Sequence, residues 1–220
     1  MDASPLAVRA VFFDVGETLI DETTEYGSWA DWLGVPRHTF SAMFGAVIAR
    51  GEDYREVFQH FRPGFDLEVE RQRRYEAGLG EFFNGRDLYP DVRSCLGELK
   101  RRGFLVGVAG NQTARAGTMI RELHLPADLI ATSDDWGAAK PSVAFFDKLV
   151  AAAGFDRNDI LYVGDRVDND VLPAHRAGLR TAWIRRGPWG YVHERHPGLD
   201  VVDLRLESLG RLPDLIDIAA

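Results

Sequence analysis

Six short apolar runs recur along this chain, and the stretches between most of them carry the spacing of helices. The runs are "AVFFDV" (10–15), "FLVGVA" (104–109), "LIAT" (129–132), "ILYVG" (160–164), "TAWIR" (181–185) and "VVD" (201–203). Short, continuous, β-rich runs of this kind suit a parallel sheet covered on both faces. Val92, Cys95, Leu96 and Leu99 form one apolar stripe within 90–102, and Ala116, Met119, Ile120 and Leu123 form another within 114–123. A third, Phe145, Phe146, Leu149 and Val150, lies within 142–153. Strand–helix alternation from about residue 90 onward implies right-handed crossovers. The expected fold is therefore α/β, a doubly wound, Rossmann-like parallel sheet.

Residues 21–88 break this alternation. They hold no strand pattern and read as several helices. One carries Phe40, Met43, Phe44, Val47 and Ile48; the next carries Tyr54, Val57, Phe58 and Phe61; a third runs through "DLEVERQRRYEAGL". Gly51, "RPG" (62–64) and "LG" (79–80) punctuate them. The expected organisation is a core of residues 1–20 and 89–220, with an all-helical cap domain, 21–88, inserted after the first strand. Such an insert is expected above the strand's C-terminal end, where open α/β sheets bind ligands.

A net charge of -8 excludes a nucleic-acid binder, which needs a basic face to displace counterions. Cys95 is the sole cysteine, so there is no disulfide framework, and it falls on an apolar stripe as a core residue. No apolar run reaches the roughly 18 residues of a membrane span. The start, "MDASPLAVRAVFF", is a poor secretory leader, so a cytoplasmic location is expected. Lysine occurs only at 100, 140 and 148.

Three distant stretches carry the chemistry. Asp14 ends the first run, Lys140 lies in "GAAKPSVAFF" just ahead of a helical pattern, and Asp165 and Asp170 follow the 160–164 run in "LYVGDRVDND". In a doubly wound sheet those two runs are commonly neighbours, which would bring the carboxylates together. Three such groups around one point repel each other and take up protons unless a cation intervenes. A hard dication with oxygen ligands, Mg²⁺ above all, is the usual solution. A lysine ammonium could then screen an incoming phosphoryl group.

The whole chain resembles the haloacid dehalogenase superfamily, with a helical cap between its first two motifs. "FFDVGETL" is similar to the first motif, "FLVGVAGN" to the second, "KPSVAFF" to the third and "VGDRVDND" to the fourth. The flanking "LYPDVRSCLGELKRRGF" and "AHRAGLRTAWIRRG" match as well. The resemblance implies Asp14 as nucleophile and metal ligand, with the backbone carbonyl of Gly16 and the carboxylate of Asp165 as further ligands. Asp170 is implied as a water-mediated ligand or a partner of Lys140, and Lys140 as a catalytic cation. Asp168 is read as a solvated loop acid.

Two positions depart from the family pattern. Its phosphatases carry an acid–base aspartate two residues after the nucleophile, where this chain has Gly16. The Ser or Thr of the second motif is replaced by Gly110, whose backbone, with Asn111, is expected to contact substrate. Glu17 is one residue out of register for the missing acid and is expected to face away, into the hinge of the insert. The implied function is a Mg²⁺-dependent hydrolase of a small phosphorylated metabolite, with reduced or unusual activity. The alternative is a catalytically impaired relative that binds a ligand or partner without turnover. The family's dehalogenases use no metal and usually depart from "GD…ND", which this chain keeps. Its phosphonoacetaldehyde-type hydrolases need a cap lysine, and 21–88 contains none.

Trp136 and Arg166 are candidates for the pocket rim. Aromatics of the insert (Trp29, Trp32, Phe40, Tyr54, Tyr75) read as core or interface, and Arg62 and "RQRR" (71–74) as solvated faces. An apolar face on the insert would support a homodimer; a monomer is equally compatible with the sequence. The stretch "RRGPWGYVHERHPG" reads as a turn-rich connection without an assigned role.

Overall fold

The computed structural model describes residues 5–219, so the opening of the stretch read as a poor leader lies outside the described residues. Among these residues no helix is long and apolar enough to cross a membrane. The chain divides into two compact units. One comprises the residues up to Asp21 together with Leu88 onward, and the other comprises Glu22–Asp87.

The first unit is built on strands β1 (Leu6–Val8), β2 (Ala10–Phe13), β3 (Leu105–Gly110), β4 (Leu129–Thr132), β5 (Ile160–Gly164), β6 (Arg180–Ile184), β7 (Leu204–Leu206) and β8 (Ile216–Ile218). Six of them form one parallel sheet in the order β4-β3-β2-β5-β6-β7. β2 lies at its centre, with Phe13 opposite Val108 on β3 and Val163 on β5. Because side chains alternate along a strand, Ala10, Phe12, Ile160 and Tyr162 share one face. They pack with Phe145, Phe146 and Leu149 of helix Val143–Ala153. Val11, Phe13, Val106, Val108, Leu161 and Val163 are buried on the other face, and helix Val92–Arg102 packs against β3. Burial on both sides explains why these strands read as unbroken apolar runs.

The helices stop and start where their end residues dictate. Gly103 and Gly154 close their helices in the left-handed conformation that a side chain resists. Thr113 and Ser142 cap the starts of Ala114–Glu122 and Val143–Ala153 by accepting from the amides of Ala116 and Ala144. The Val92/Cys95/Leu96/Leu99 stripe is fully buried, and burial pushes the Cys95 thiol up to about 12.

Two features differ from the sequence expectations. The last strand of the main sheet is Leu204–Leu206, not 201–203; a 3-10 helix, Pro197–Val201, takes up Val201 and ends at Val202, so the ladder starts only beyond it. β1 and β8 form a separate two-stranded parallel sheet. Strands of three residues are too short to leave a periodic signal.

The second unit consists of helices Thr23–Leu33, Arg37–Ala49, Glu56–Phe61 and Leu67–Glu76. Its core is aromatic: Phe58 stacks on Phe65 at 4.8 Å, meets Trp29 edge-on at 5.2 Å and lies 5.7 Å from Phe40. Helix Leu67–Glu76 is strongly polar and corrects the reading of "RQRR" as solvated. Arg74 is buried over the Trp29 ring at 3.8 Å and paired with Glu25 at 3.3 Å. Buried Glu70 accepts from Trp32 Nε1 at 2.8 Å and from Arg73 at 2.5 Å. Arg71 and Arg73 are exposed, and so is Tyr75, which was read as core or interface and is not core.

Phe146 is fully buried between Phe145 and Tyr162. Phe146→Ala is expected to destabilise the protein by about 3–5 kcal/mol, read as a lower urea midpoint at unchanged slope.

Candidate active site

β2 and β5 are adjacent and parallel, so their C-terminal ends emerge side by side, tied by the Asp14 amide donating to the Val163 carbonyl at 2.9 Å. Asp14 follows β2 and Asp165 follows β5. Asp170 sits on one wide helical turn, Val167–Val171. Carboxylate oxygens of Asp14, Asp165 and Asp170 all lie within 4.8 Å of one another. Lys140 enters from the loop between Trp136 and Val143, and its Nζ lies 2.7 Å from Asp14 Oδ1 and 2.6 Å from Asp170 Oδ1. The structure thus gathers Asp14, Lys140, Asp165 and Asp170. Gly16, two residues past Asp14, is bridged to Ile20 in the loop that follows.

Two glycines make this convergence possible. A Cβ at position 110 would stand 2.5 Å from Asp14 Oδ1, so the carboxylate occupies the space that a serine or threonine would need. A Cβ at position 164 would stand 2.3 Å from Asp170 Oδ2. The missing side chains let the acids lie directly on the strand ends.

One cation faces three buried acids. Burial works against the Lys140 ammonium, but Asp14 and Asp170 outweigh it and hold the lysine well above its ordinary range. Burial lifts Asp170 to about 6 even though Lys140 opposes the shift. Asp165 is driven well above the usual carboxylate range by burial and then by Asp170, Asp14 and Glu17. Its Oδ2 is buried and has no hydrogen-bond partner among the described residues. An unpaired buried carboxylate oxygen costs several kcal/mol. An all-oxygen donor set with such an orphan atom fits a hard dication. Of the four clustered side chains, Asp14 is the most accessible, at 11% against 1% for Lys140 and for Asp170.

The surrounding residues are placed as follows. Asn111 was expected to contact substrate; its side-chain amide is used by the backbone of Lys140, accepting from the amide nitrogen at 2.7 Å and donating to the carbonyl at 2.9 Å. Arg166 pairs with Asp168 at 2.6 Å and lies over the Trp189 ring at 4.4 Å, while its amide donates to Asp170 Oδ2 at 2.9 Å. Trp136, half-buried, packs edge-on against Phe145 at the margin of the core cluster. Glu17 is buried with a positive φ of 51°, accepts from the Tyr89 hydroxyl at 2.6 Å and packs against Gly187. It therefore points to the residue where the chain re-enters this unit, yet stays near enough to Asp165 to raise it.

Sequence reasoning missed the polar network behind this loop. Arg186 lies over the Tyr89 ring at 4.3 Å, donates to the Thr18 carbonyl at 2.9 Å and pairs with Asp91. Asp91 also accepts from the Ser208 hydroxyl at 2.6 Å and the Leu209 amide at 2.9 Å. The start of the "RRGPWGYVHERHPG" stretch is thereby tied to the loop after Asp14. A polar residue within a turn-rich run gives no periodic signal, so its burial could not be read from spacing.

Comparison with known proteins gives concordant findings. A family model described as haloacid dehalogenase-like hydrolase matches residues 8–178. Phosphoserine phosphatase of Thermus thermophilus is 31% identical over 204 residues, covering 86% of this chain and 80% of that protein. Glyceraldehyde 3-phosphate phosphatase of Pyrococcus abyssi is 25% identical over 198 residues, covering 82% of each. Among solved structures, YfnB of Bacillus subtilis bound to magnesium superposes with a TM-score of 0.71 at 18% identity, covering 96% of this chain and 100% of that one. At that identity the likeness is one of fold.

The glycine under Asp170 generates a stability test. Gly164→Ala is expected to cost about 1–3 kcal/mol through overpacking against the clamped carboxylate. Gly97→Ala, in a helix with open space around the position, is expected to be neutral or to stabilise by about 0.5–1 kcal/mol. Urea midpoints of the two variants make the comparison.

Proposed function

This chain belongs to the haloacid dehalogenase-like hydrolases, and from that premise we propose that it hydrolyses small phosphate esters through Asp14, with Mg²⁺ as cofactor. The observation that carries the reading is the buried cluster itself: three convergent carboxylates, one lysine between two of them, and an orphan oxygen on Asp165. The phosphatases among its relatives support the substrate class.

Asp14, Asp165 and the carbonyl of Gly16 would hold the ion, which supplies neutralising charge for the acids and for phosphoryl oxygens. Asp170 is read as the partner of Lys140. Asp14, the most accessible of the clustered groups, attacks phosphorus; the P–O ester bond breaks, the ester oxygen departs as an alkoxide or phenolate that takes its proton from water, and an aspartyl-phosphate is left. Water then attacks that phosphorus, releasing inorganic phosphate and restoring the carboxylate. Lys140, 2.7 Å from Asp14 Oδ1, orients the carboxylate, and its charge offsets the phosphoryl group's.

Gly16 limits the leaving group. Without an acid at that position the departing oxygen is not protonated by its usual partner, a loss of about 10²–10⁴ in rate. Glu17, held by Tyr89, does not replace it in this reading. Aryl phosphates and other esters with good leaving groups are the expected substrates. The two glycines, Gly16 and Gly110, favour a second reading in which the pocket binds a phosphorylated ligand without turning it over.

A phosphate-ester panel with Mg²⁺ separates the two readings. Turnover is expected for wild type and absent in Asp14→Asn; retained affinity for Mg²⁺ or phosphate without turnover supports the binding role instead. A second outcome follows from the missing acid. Gly16→Asp is expected to raise kcat on alkyl phosphates by about 10²-fold or more while changing aryl phosphates little. Steady-state kinetics on matched ester pairs reads the difference.

A further inference from the structure

Lys140 supplies the cation of the cluster, yet no regular element carries its backbone. It lies between helices Ser133–Trp136 and Val143–Ala153, outside any strand. A lysine side chain is long and flexible, and fixing its ammonium costs up to about 2 kcal/mol of rotamer freedom. To set Nζ at 2.7 Å from one carboxylate and 2.6 Å from another, the backbone it springs from must be placed first.

Asn111 places it. The residue follows the end of β3, and its side-chain amide meets both polar atoms of the Lys140 main chain, N–H at 2.7 Å and C=O at 2.9 Å. This is the two-bond pairing that a neighbouring strand would supply, made by a side chain across 29 positions of sequence. Asparagine suits the task because it carries one acceptor and one donor on a short stem. Aspartate would keep the first bond and set an oxygen against the Lys140 carbonyl.

We propose that Asn111 is a positioning residue that fixes the Lys140 main chain, and so the ammonium between Asp14 and Asp170, rather than a ligand of the substrate. Its kinetic consequence rests on the hydrolase reading; its structural consequence does not. The chain has three lysines, and Lys100 and Lys148 are exposed, so they serve as internal references.

The test is a brief acylation of the intact protein with acetic anhydride, read lysine by lysine by peptide mass spectrometry. Wild type, Asn111→Ala and the isosteric Asn111→Asp are compared, each with its thermal midpoint. In wild type Lys140 is expected to react more slowly than Lys100 and Lys148 by about tenfold or more. Both variants are expected to raise the Lys140 rate by about tenfold while the two references stay unchanged. Lys140 protected equally in all three proteins overturns the proposal, as does exposure only in samples that have lost their cooperative thermal transition.

A kinetic arm applies where turnover is measured. Asn111→Asp is expected to lower kcat by about 10- to 10²-fold with KM nearly constant. Adding Asn111→Ala to Lys140→Ala is expected to cost nothing further, since the two act as a unit. A raised KM, or an Asn111 effect that persists in full without Lys140, assigns the residue to substrate and overturns the proposal. Absence of turnover in wild type bears on the hydrolase reading alone, because the acylation rates need no substrate.

Discussion

The end of the sheet depends on one buried ammonium shared by two carboxylates. Removing charges from water costs several kcal/mol each, and only close, well-oriented partners recover it. Lys140 recovers it for Asp14 and Asp170 and leaves Asp165 without a counter-charge. Three acids therefore crowd around one lysine, and a bound dication would offset the charge that remains.

Around this centre, distant parts of the chain are tied by polar contacts rather than by apolar packing. Asp91 collects Arg186, Ser208 and the Leu209 amide, and Arg186 passes the connection to the Thr18 carbonyl and the Tyr89 ring. Tyr89 in turn holds Glu17. The loop after Asp14 is thus fixed from behind by the connection after β6 and by the start of helix Val92–Arg102. This bracing adds to the loop's own backbone bonds, among them the amides of Leu19 and Ile20 donating to the Val15 carbonyl at 2.9 and 3.0 Å.

The sheet was legible because its strands are buried on both faces and so appear as continuous apolar runs, from "AVFFDV" to "TAWIR". Three helices of the main unit, Val92–Arg102, Ala114–Glu122 and Val143–Ala153, were legible to within two residues at each end through their apolar stripes; the short helices Leu172–Arg176 and Gly187–Val192, the latter in the stretch read as turn-rich, were not. The acid cluster was visible because motif order specifies which strand ends meet. What escaped were short and polar features. β1, β8 and the displaced β7 are three residues each, below the length at which alternation can be recognised. Arg74 looked solvated, and its burial follows from a partner 49 positions away. The use of Asn111 by the Lys140 main chain could not be inferred from residue type, because an asparagine beside a motif serves ligand and backbone equally well.

The way the helical unit joins the sheet unit has its own consequence. Ile20 and Leu88, at the two junctions, form an antiparallel bridge, and the Tyr89 amide donates to the Leu19 carbonyl at 3.0 Å. The outgoing and returning chain segments are therefore stitched together at the border, within the sheet unit itself. Residues beyond that seam can lengthen, shrink or be exchanged without altering the register of β2 against β3 and β5, so the charged centre is inherited intact whatever is grafted there.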